Sequence, residues 1–349
     1  MGEPDPIGFP RSPEEAPMDA RAPAKLGRTD LVVTRLALGT APIGGLYKPV
    51  GDETAVATVD RAWERGLRLF DTAPLYGYGL SERRVGMALA KRPRDEFVLA
   101  TKVGRLLEPG GSDVQDIWPE GALTGVSPRF DFSYGAVRTS LEASLDRLGL
   151  DRVDVLHIHD PDDHFDQALE GTYRALADLR RAGVIGAISA GMNQAPMLAR
   201  FVRESGDPGF DCFMLAGRYT LLDQSGLDDL LPLCAERGIG LMAAGVYNSG
   251  LLGNPSPRSH YDYAAPPEPL LAKALAIKDI CERHGVPLRA AAIQFPLGHP
   301  AVTTVVIGAR SPEQLDDNIA MFEHPIPGAL WADLKSAGLL GEDVPTPSE

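Results

Sequence analysis

The chain has 349 residues, 44% of them hydrophobic and 23% charged, and a formal net charge of -14 at pH 7. There is apolar material for one large domain or two small ones, and the acidic balance, with no basic stripe to offset it, repels a phosphate backbone; small molecules are the expected partners and nucleic acid is not. Cys212, Cys234 and Cys281 form neither a CxxC pair nor a disulfide framework, and no run reaches the ~20 apolar residues a membrane helix needs, so a cytoplasmic protein with no membrane partner is expected.

Residues 1–25, rich in Pro and acidic residues, lack the basic start and apolar stretch of a signal peptide and are expected to form a disordered arm. From residue 36 onward short apolar or β-branched runs alternate with longer segments of helical periodicity. Strands are expected at 36–39, 67–71, 97–102, 153–159, 184–189, 211–215, 240–244 and 303–308. Helices are expected at 52–66, 81–91, 133–148, 165–182, 194–205, 224–237, 268–284 and 311–322, several entered through a capping residue such as Asp52, Ser81 or Ser311. Eight βα units in succession predict an α/β fold, a (β/α)8 TIM barrel occupying 26–340 as one domain with a short tail at 341–349; an open doubly wound sheet is the alternative on pattern alone. Two connections, 103–132 and 245–267, are too long for turns. Both follow strands, which in a barrel puts them on the C-terminal face as candidate pocket walls.

Reading the strand ends gives Asp71, Lys102 and His159, with Tyr76 a few residues beyond Asp71. A charge buried at a strand end is costly unless paired, so three adjacent strands ending in Asp, Lys and His call for a shared site, although each alone has an ordinary structural reading. Free tyrosine is too weak an acid to work at neutral pH. A lysine ~4 Å away attracts the phenolate by about 4 kcal/mol at an intermediate dielectric, less what Asp71 offsets, which brings Tyr76 within reach of neutral pH as a proton donor or acceptor at a carbonyl or hydroxyl oxygen. His159 is placed to orient that oxygen.

No side chain carries a hydride, so such chemistry needs a cofactor and a site for its phosphates. The eighth unit runs from strand through Gly308 into a helix that starts Ser311-Pro312-Glu313-Gln314, and the free N–H groups of a helix start suit an anion; the same residues also fit a plain capping box. Gly250 in "NSGLL" (248–252) permits close approach of backbone to a pyrophosphate, or merely turns a loop. No GxGxxG follows the first strand, which argues against a dinucleotide held in the Rossmann manner.

The stretches "FDTAPLYGYGLSERRVGMAL" (70–89), "LATKVG" (99–104), "VDVLHIHDPD" (153–162), "AISAGMN" (187–193) and "VVIGARSPEQLDDNI" (305–319) resemble the aldo-keto reductase superfamily over residues 26–322. The resemblance implies a catalytic tetrad of Tyr76 as acid/base, Lys102 and Asp71 tuning it, and His159 orienting the substrate; His157, read as lying one face away, does not match. It also implies a nicotinamide cofactor contacted by Gly39, Thr40, Asp71, Asn193, Asn248, Ser249, Gly250, Leu251, Gly308, Arg310, Gln314 and Asn318, substrate contacts from Tyr47, Trp118 and His159, and no metal. The pattern departs from the common one in having Gly191-Met192-Asn193 in place of Ser-Asn, Ala216 in place of Gln, and Ala244 in place of a stacking aromatic. "HIHDPDD", "AGMNQ" and "YNSGLL" look most like the bacterial branch of L-fucose or D-threo-aldose 1-dehydrogenases, with pyridoxal 4-dehydrogenase relatives. The function implied is oxidation of an aldose at C1 to the lactone by a monomer or small homo-oligomer. Where phosphate-specific relatives place Lys and Arg, this chain has Gly308 and Gln314, so NAD is expected over NADP, with Arg310 as the one counterweight. The alternatives are a general NADPH-dependent reductase, a non-catalytic nicotinamide-binding subunit, and a lyase using Lys102 as a Schiff base.

Overall fold

A closed ring of eight parallel strands organises the computed structural model, which describes residues 18–118, 125–262 and 264–347. In chain order the strands are β1 (Pro23–Lys25), β2 (Val32–Thr34), β3 (Leu36–Gly39), β4 (Leu69–Asp71), β5 (Val98–Val103), β6 (Arg105–Glu108), β7 (Ser127–Phe130), β8 (Val155–His159), β9 (Ala187–Met192), β10 (Cys212–Ala216), β11 (Gly240–Ala244) and β12 (Val302–Gly308). The ring runs β3-β4-β5-β8-β9-β10-β11-β12 and closes from β12 back onto β3. Its helices are α1 (Asp52–Glu64), α2 (Leu80–Leu89), α3 (Tyr134–Leu148), α4 (Phe165–Gln167), α5 (Arg174–Arg181), α6 (Ala195–Glu204), α7 (Leu230–Arg237), α8 (Glu268–Arg283), α9 (Leu288–Gln294), α10 (Pro312–Phe322) and α11 (Gly328–Ser336). This is the (β/α)8 barrel predicted from the alternation of periods.

Alternation along the strands fills the ring. Leu69, Val98, Ala100, Val155, Ala187, Cys212, Met214, Met242 and Val306 pack together inside it. The same two-residue period carries the inward face upward from Leu69 to Asp71, from Ala100 to Lys102 and from Val155 through His157 to His159. The apolar layer thus gives way to charge only at the C-terminal end. The outer faces of the strands and the inner faces of the helices form a separate, larger apolar shell that includes Phe70, Leu99, Leu156 and Phe213.

Several boundaries differ from those expected, each for a local reason. Part of the arm is ordered: β1 pairs antiparallel with β2, and Leu26 and Val33 pack against the lowest inward layer, so this hairpin stoppers the barrel's N-terminal end. Residues 1–17 lie outside the described residues. Gly27 has φ 57 and a Cβ there would meet the carbonyl oxygen of Asp211 at 2.2 Å, so the hairpin turn seats on β10's entry only with glycine. The fifth ring strand begins at Ala187 and not at Val184, because Gly186 first donates its N–H to the Asp154 carbonyl. Of the three expected caps only Ser311 caps, accepting from the Gln314 N–H; Gly51 precedes α1, and Ser81 lies within α2 with its hydroxyl on Thr40. The segment 165–182 is helical but passes through a π turn at Ala168–Tyr173, where Gly171 lies against the Phe132 carbonyl so closely that a Cβ would stand 2.5 Å from it. α9 and α11 were not expected. α9 is buried on nearly every residue, so it shows no amphipathic period to read.

The connection 103–132 is not structureless. It carries the β6–β7 hairpin, paired from Arg105↔Phe130 to Glu108↔Ser127, which stands over the C-terminal end of the ring. Residues 119–124 of it are outside the described residues.

Candidate active site

Asp71, Lys102 and His159 come from neighbouring strands β4, β5 and β8, and the turn after β4 brings in Tyr76. Lys102 Nζ lies 2.7 and 2.6 Å from the two Asp71 carboxylate oxygens and donates to the Thr72 carbonyl at 2.9 Å. Both side chains of the pair are 2% exposed. Burial works against the Asp71 anion, but Lys102 and His157 more than offset it and hold its pKa below the usual carboxylate value. The Thr40 N–H and hydroxyl both donate to the Asp71 carbonyl, at 2.9 and 2.8 Å, which locks the strand end from behind.

Tyr76 is presented on the opposite side of this pair. Lys102 Nζ sits 4.9 Å from its ring centroid, His159 meets the ring edge-on at 6.0 Å and 87°, and Trp118 tilts against it at 5.9 Å. Glycine permits the turn: a Cβ on Gly44 would stand 2.8 Å from the Tyr76 backbone, and Gly77 has φ 61 against the Gly44 carbonyl. The four residues expected to converge do so. Such a phenol, beside a cation and facing a histidine, can exchange a proton with an oxygen bound in front of it.

His157 corrects the sequence reading. Residues two apart on a strand share a face, so His157 points inward with His159, fully buried, with Nε2 3.4 Å from Asp71 Oδ1. Burial holds both imidazoles below their ordinary pKa, His159 far below. His159 Nδ1 faces the Arg105 guanidinium at 3.1 Å.

A pocket of about 540 Å³ opens above these groups. Tyr76, Lys102, His159, Trp118 and Asn193 line it, together with polar groups that sequence reasoning passed over: Gln115, Asp160, Asp162 and Gln194. Small inward residues at the strand ends, Gly191 and Ala216, leave its floor open. Tyr47 does not line the pocket; it is 44% exposed at the rim, stacked on His260 at 6.5 Å.

Apart from Asp71 on β4 and Asn193, which follows β9 and lines the pocket, the expected cofactor contacts fall on the ends of and the loops after β11, β12 and β3. Asn248, Ser249 and Gly250 all have positive φ, a Cβ on Gly250 would meet nothing within 4 Å, and the buried Asn248 Oδ1 has no partner among the described residues. The Gly39 and Gly308 strand ends adjoin in register, with Gly308 exposed. An open backbone curl beside an unsatisfied buried amide oxygen fits a dinucleotide's phosphates and carboxamide. Other expected contacts are turned to internal work. Leu251 is buried in the core, Thr40 serves Asp71, and Gln314 Oε1 accepts from the Arg310 N–H at 2.9 Å. Asn318 donates to the Gly308 carbonyl and accepts from Arg289 at 2.9 Å. Arg310 Nη2 lies on the Leu46 carbonyl at 3.0 Å, and Arg289, a cation unremarked in the sequence, is ion-paired with Asp317.

A sequence profile of the aldo/keto reductase family matches residues 35–338, so the chain belongs to that family and is an oxidoreductase of the nicotinamide-dependent aldo-keto reductase type. It is 42% identical over 335 residues to a pyridoxal 4-dehydrogenase from Microbacterium luteolum, covering 90% of this chain and 97% of that one. It is also 42% identical over 332 residues to a D-threo-aldose 1-dehydrogenase from a Pseudomonas species, covering 91% and 96%. Among solved structures, a glycerol dehydrogenase from Gluconobacter oxydans superposes with a TM-score of 0.74 at 26% identity over 95% of this chain and 98% of that chain. A holo-form aldo-keto reductase from Bacillus halodurans gives 0.71 at 26% identity over 92% and 97%. Among the described residues no helix is long and apolar enough to cross a membrane, and no group of three or more His, Cys, Asp or Glu is placed to hold a metal.

Proposed function

We propose that this enzyme oxidises a cyclic hemiacetal to a lactone, acting at C1 of an aldose of the L-fucose or D-threo type, with NAD in preference to NADP. The observation that carries the reading is the placement of Tyr76, between Lys102 and His159, on the wall of a pocket whose other groups suit a polyol: Trp118 for a sugar's C–H face, and Gln115, Asp160, Asp162 and Gln194 for its hydroxyls. Two relatives are named for an aldose and for pyridoxal. An aldose closes on its own hydroxyl to a hemiacetal, and pyridoxal closes on the hydroxymethyl group beside its aldehyde, so one reaction type covers both.

In that reaction the Asn248–Gly250 curl and the Gly39 and Gly308 strand ends would hold a nicotinamide dinucleotide, which would supply the hydride acceptor for the hemiacetal carbon. Tyr76 takes the proton of the hemiacetal hydroxyl as the carbon–oxygen double bond forms, and passes it to solvent; hemiacetal and NAD⁺ become lactone, NADH and a proton. Lys102 favours the phenolate that begins the step, with Asp71 fixing the ammonium. His159 donates a hydrogen bond to the reacting oxygen and sets its distance from the phenol.

For the cofactor, the arginines near α10 are already committed, Arg61 and Arg65 to Asp316, Arg289 to Asp317 and Arg310, through Nη2, to the Leu46 carbonyl, and Glu313 opens the helix. A 2'-phosphate would meet no uncommitted cation on those residues, whereas a neutral 2'-hydroxyl requires none. The test is a panel of aldoses, pyridoxal and simple aldehydes and ketones, each with both cofactors, followed at the absorbance of reduced nicotinamide. Fastest turnover of an aldose or pyridoxal with NAD is expected. Preference for simple carbonyls with NADPH would replace the reading with a general reductase, and tight cofactor binding without turnover would replace it with a binding subunit.

A further inference from the structure

Arg105 opens β6 and so belongs to the hairpin above the barrel, not to the ring. Its side chain is 5% exposed. Nη1 lies 3.1 Å from His159 Nδ1, Nη2 lies 3.2 Å from Asp160 Oδ2, and the guanidinium carbon stands 4.9 Å over the Phe130 ring. Phe130 in turn packs on Phe132 and His164. A carboxylate and an aromatic face thus hold the guanidinium against the imidazole nitrogen.

We propose that Arg105 is a positioning residue that fixes His159 as the neutral imidazole carrying its single hydrogen on Nε2. This rests on His159 being the residue that orients the reacting oxygen. A guanidinium has donors and no acceptor, so the 3.1 Å contact requires Nδ1 to present a lone pair. A neutral imidazole has one hydrogen to place, and it is left for Nε2. Asp160 Oδ2 stands 3.5 Å from Nε2 and is already engaged by Arg105, and His159 lines the pocket, so the hydrogen is directed to the groups there.

The charges around the ring point the same way. Arg105, Lys102 and His157 disfavour an imidazolium, and burial does so most strongly. The carboxylates on this side are Asp160, paired with Arg105, and Asp162, whose own pKa is raised by burial and by Asp160; Asp71 is spent on Lys102, and Tyr76, uncharged as the phenol, meets the ring edge-on. His159 therefore donates a hydrogen bond throughout the reaction and never takes the substrate proton, which leaves Tyr76 as the sole acid/base.

Nitrogen NMR of the chain labelled at histidine, with the His159 signals assigned through His159→Gln, reads the tautomer directly and needs no substrate. The wild type is expected to show the Nε2–H form without titration between about pH 6 and 8. Arg105→Met is expected to mix tautomers and let His159 titrate. Its kcat should fall about tenfold or more, as for other wrongly held catalytic imidazoles, with the cofactor's KM nearly unchanged. Arg105→Lys, which keeps a donor and the charge, should recover part of the loss. A wild-type His159 with its hydrogen on Nδ1, or one that titrates near pH 6.5, overturns the proposal. An Arg105→Met enzyme with wild-type kcat and pH profile does so too. If the methionine variant does not fold, the wild-type spectrum still decides, and it does so whatever the substrate proves to be.

Discussion

Lys102 and Asp71 form an ion pair buried at the floor of the pocket: one ammonium nitrogen serves both carboxylate oxygens, and the two side chains come from adjacent strands at the level where the apolar filling of the barrel ends. Such pairs stabilise little over an apolar filling of the same volume, but removing one partner strands the other charge in a low dielectric. We predict that Asp71→Asn or Lys102→Met destabilises the fold by about 3 kcal/mol or more, and that Asp71→Asn/Lys102→Met combined costs clearly less than the two single losses added. Urea unfolding of the four proteins measures the cycle, and additive losses would show that the pair does not act as a unit.

For Tyr76→Phe the expectation is a kcat at least roughly 100-fold lower, the contribution of a general acid or base. Cofactor affinity should hardly change, because the substitution removes a hydroxyl and leaves the ring between Lys102 and Trp118. Steady-state kinetics paired with a cofactor binding titration separates the two effects. Turnover within a few-fold of the parent would assign the proton to another group.

The buried imidazoles give stability a pH dependence of definite sign. His157 and His159 both have folded pKa values below their ordinary 6.5. Above pH 6.5 both are neutral whether folded or not, and they cost nothing. As pH falls through 6.5 the unfolded chain takes up protons that the folded one refuses, so stability drops until the folded values are reached. Asp71, whose folded pKa is also lowered, stabilises at pH above the usual carboxylate value, and that contribution disappears only as pH falls through its folded value. Unfolding free energies between pH 5 and 8 should decline on the acid side, and His157→Gln should flatten the decline. A flat profile in the parent would mean that neither histidine is buried neutral.

Cofactor choice is expected to favour NAD by about tenfold or more in kcat/KM, roughly 1.4 kcal/mol. Gln314→Arg should raise kcat/KM with NADP, since it adds a cation at the first turn of α10, where Gln314 now spends its carbonyl on the Arg310 N–H. Measuring both cofactors at saturating substrate, in the parent and the variant, tests this. A parent that prefers NADP would point to Arg310 leaving the Leu46 carbonyl to bind phosphate.

The ring and the convergence of Asp71, Tyr76, Lys102 and His159 were legible because period-two runs and strand-terminal charges are local features of the sequence. His157 was equally legible and was misread, since its spacing of two from His159 already places both on one face. Arg105 was not legible: its role depends on the β6–β7 hairpin folding back over β8, a contact 54 residues distant in the chain. The same holds for Arg289 and Asn318, which meet only after α9 and α10 pack. Thr40 was expected as a cofactor contact from the resemblance alone, and the tertiary fold engages its hydroxyl with the Asp71 carbonyl.

The ring order gives the two tasks separate arcs. In the proposed reaction, proton transfer draws on β4, β5 and β8, while the loops suited to a dinucleotide leave β11, β12 and β3 on the other side of the seam between β3 and β4. Apart from Thr40, which reaches across that seam, the side chains on one arc share no hydrogen bond with those on the other among the contacts described above. Substitutions without common partners combine additively. Cofactor preference in this barrel can therefore be altered at Gln314 or Arg310 and the proton donor at Tyr76, and the kinetic effects of the two should multiply, so that either property can drift or be redesigned while the other is held constant.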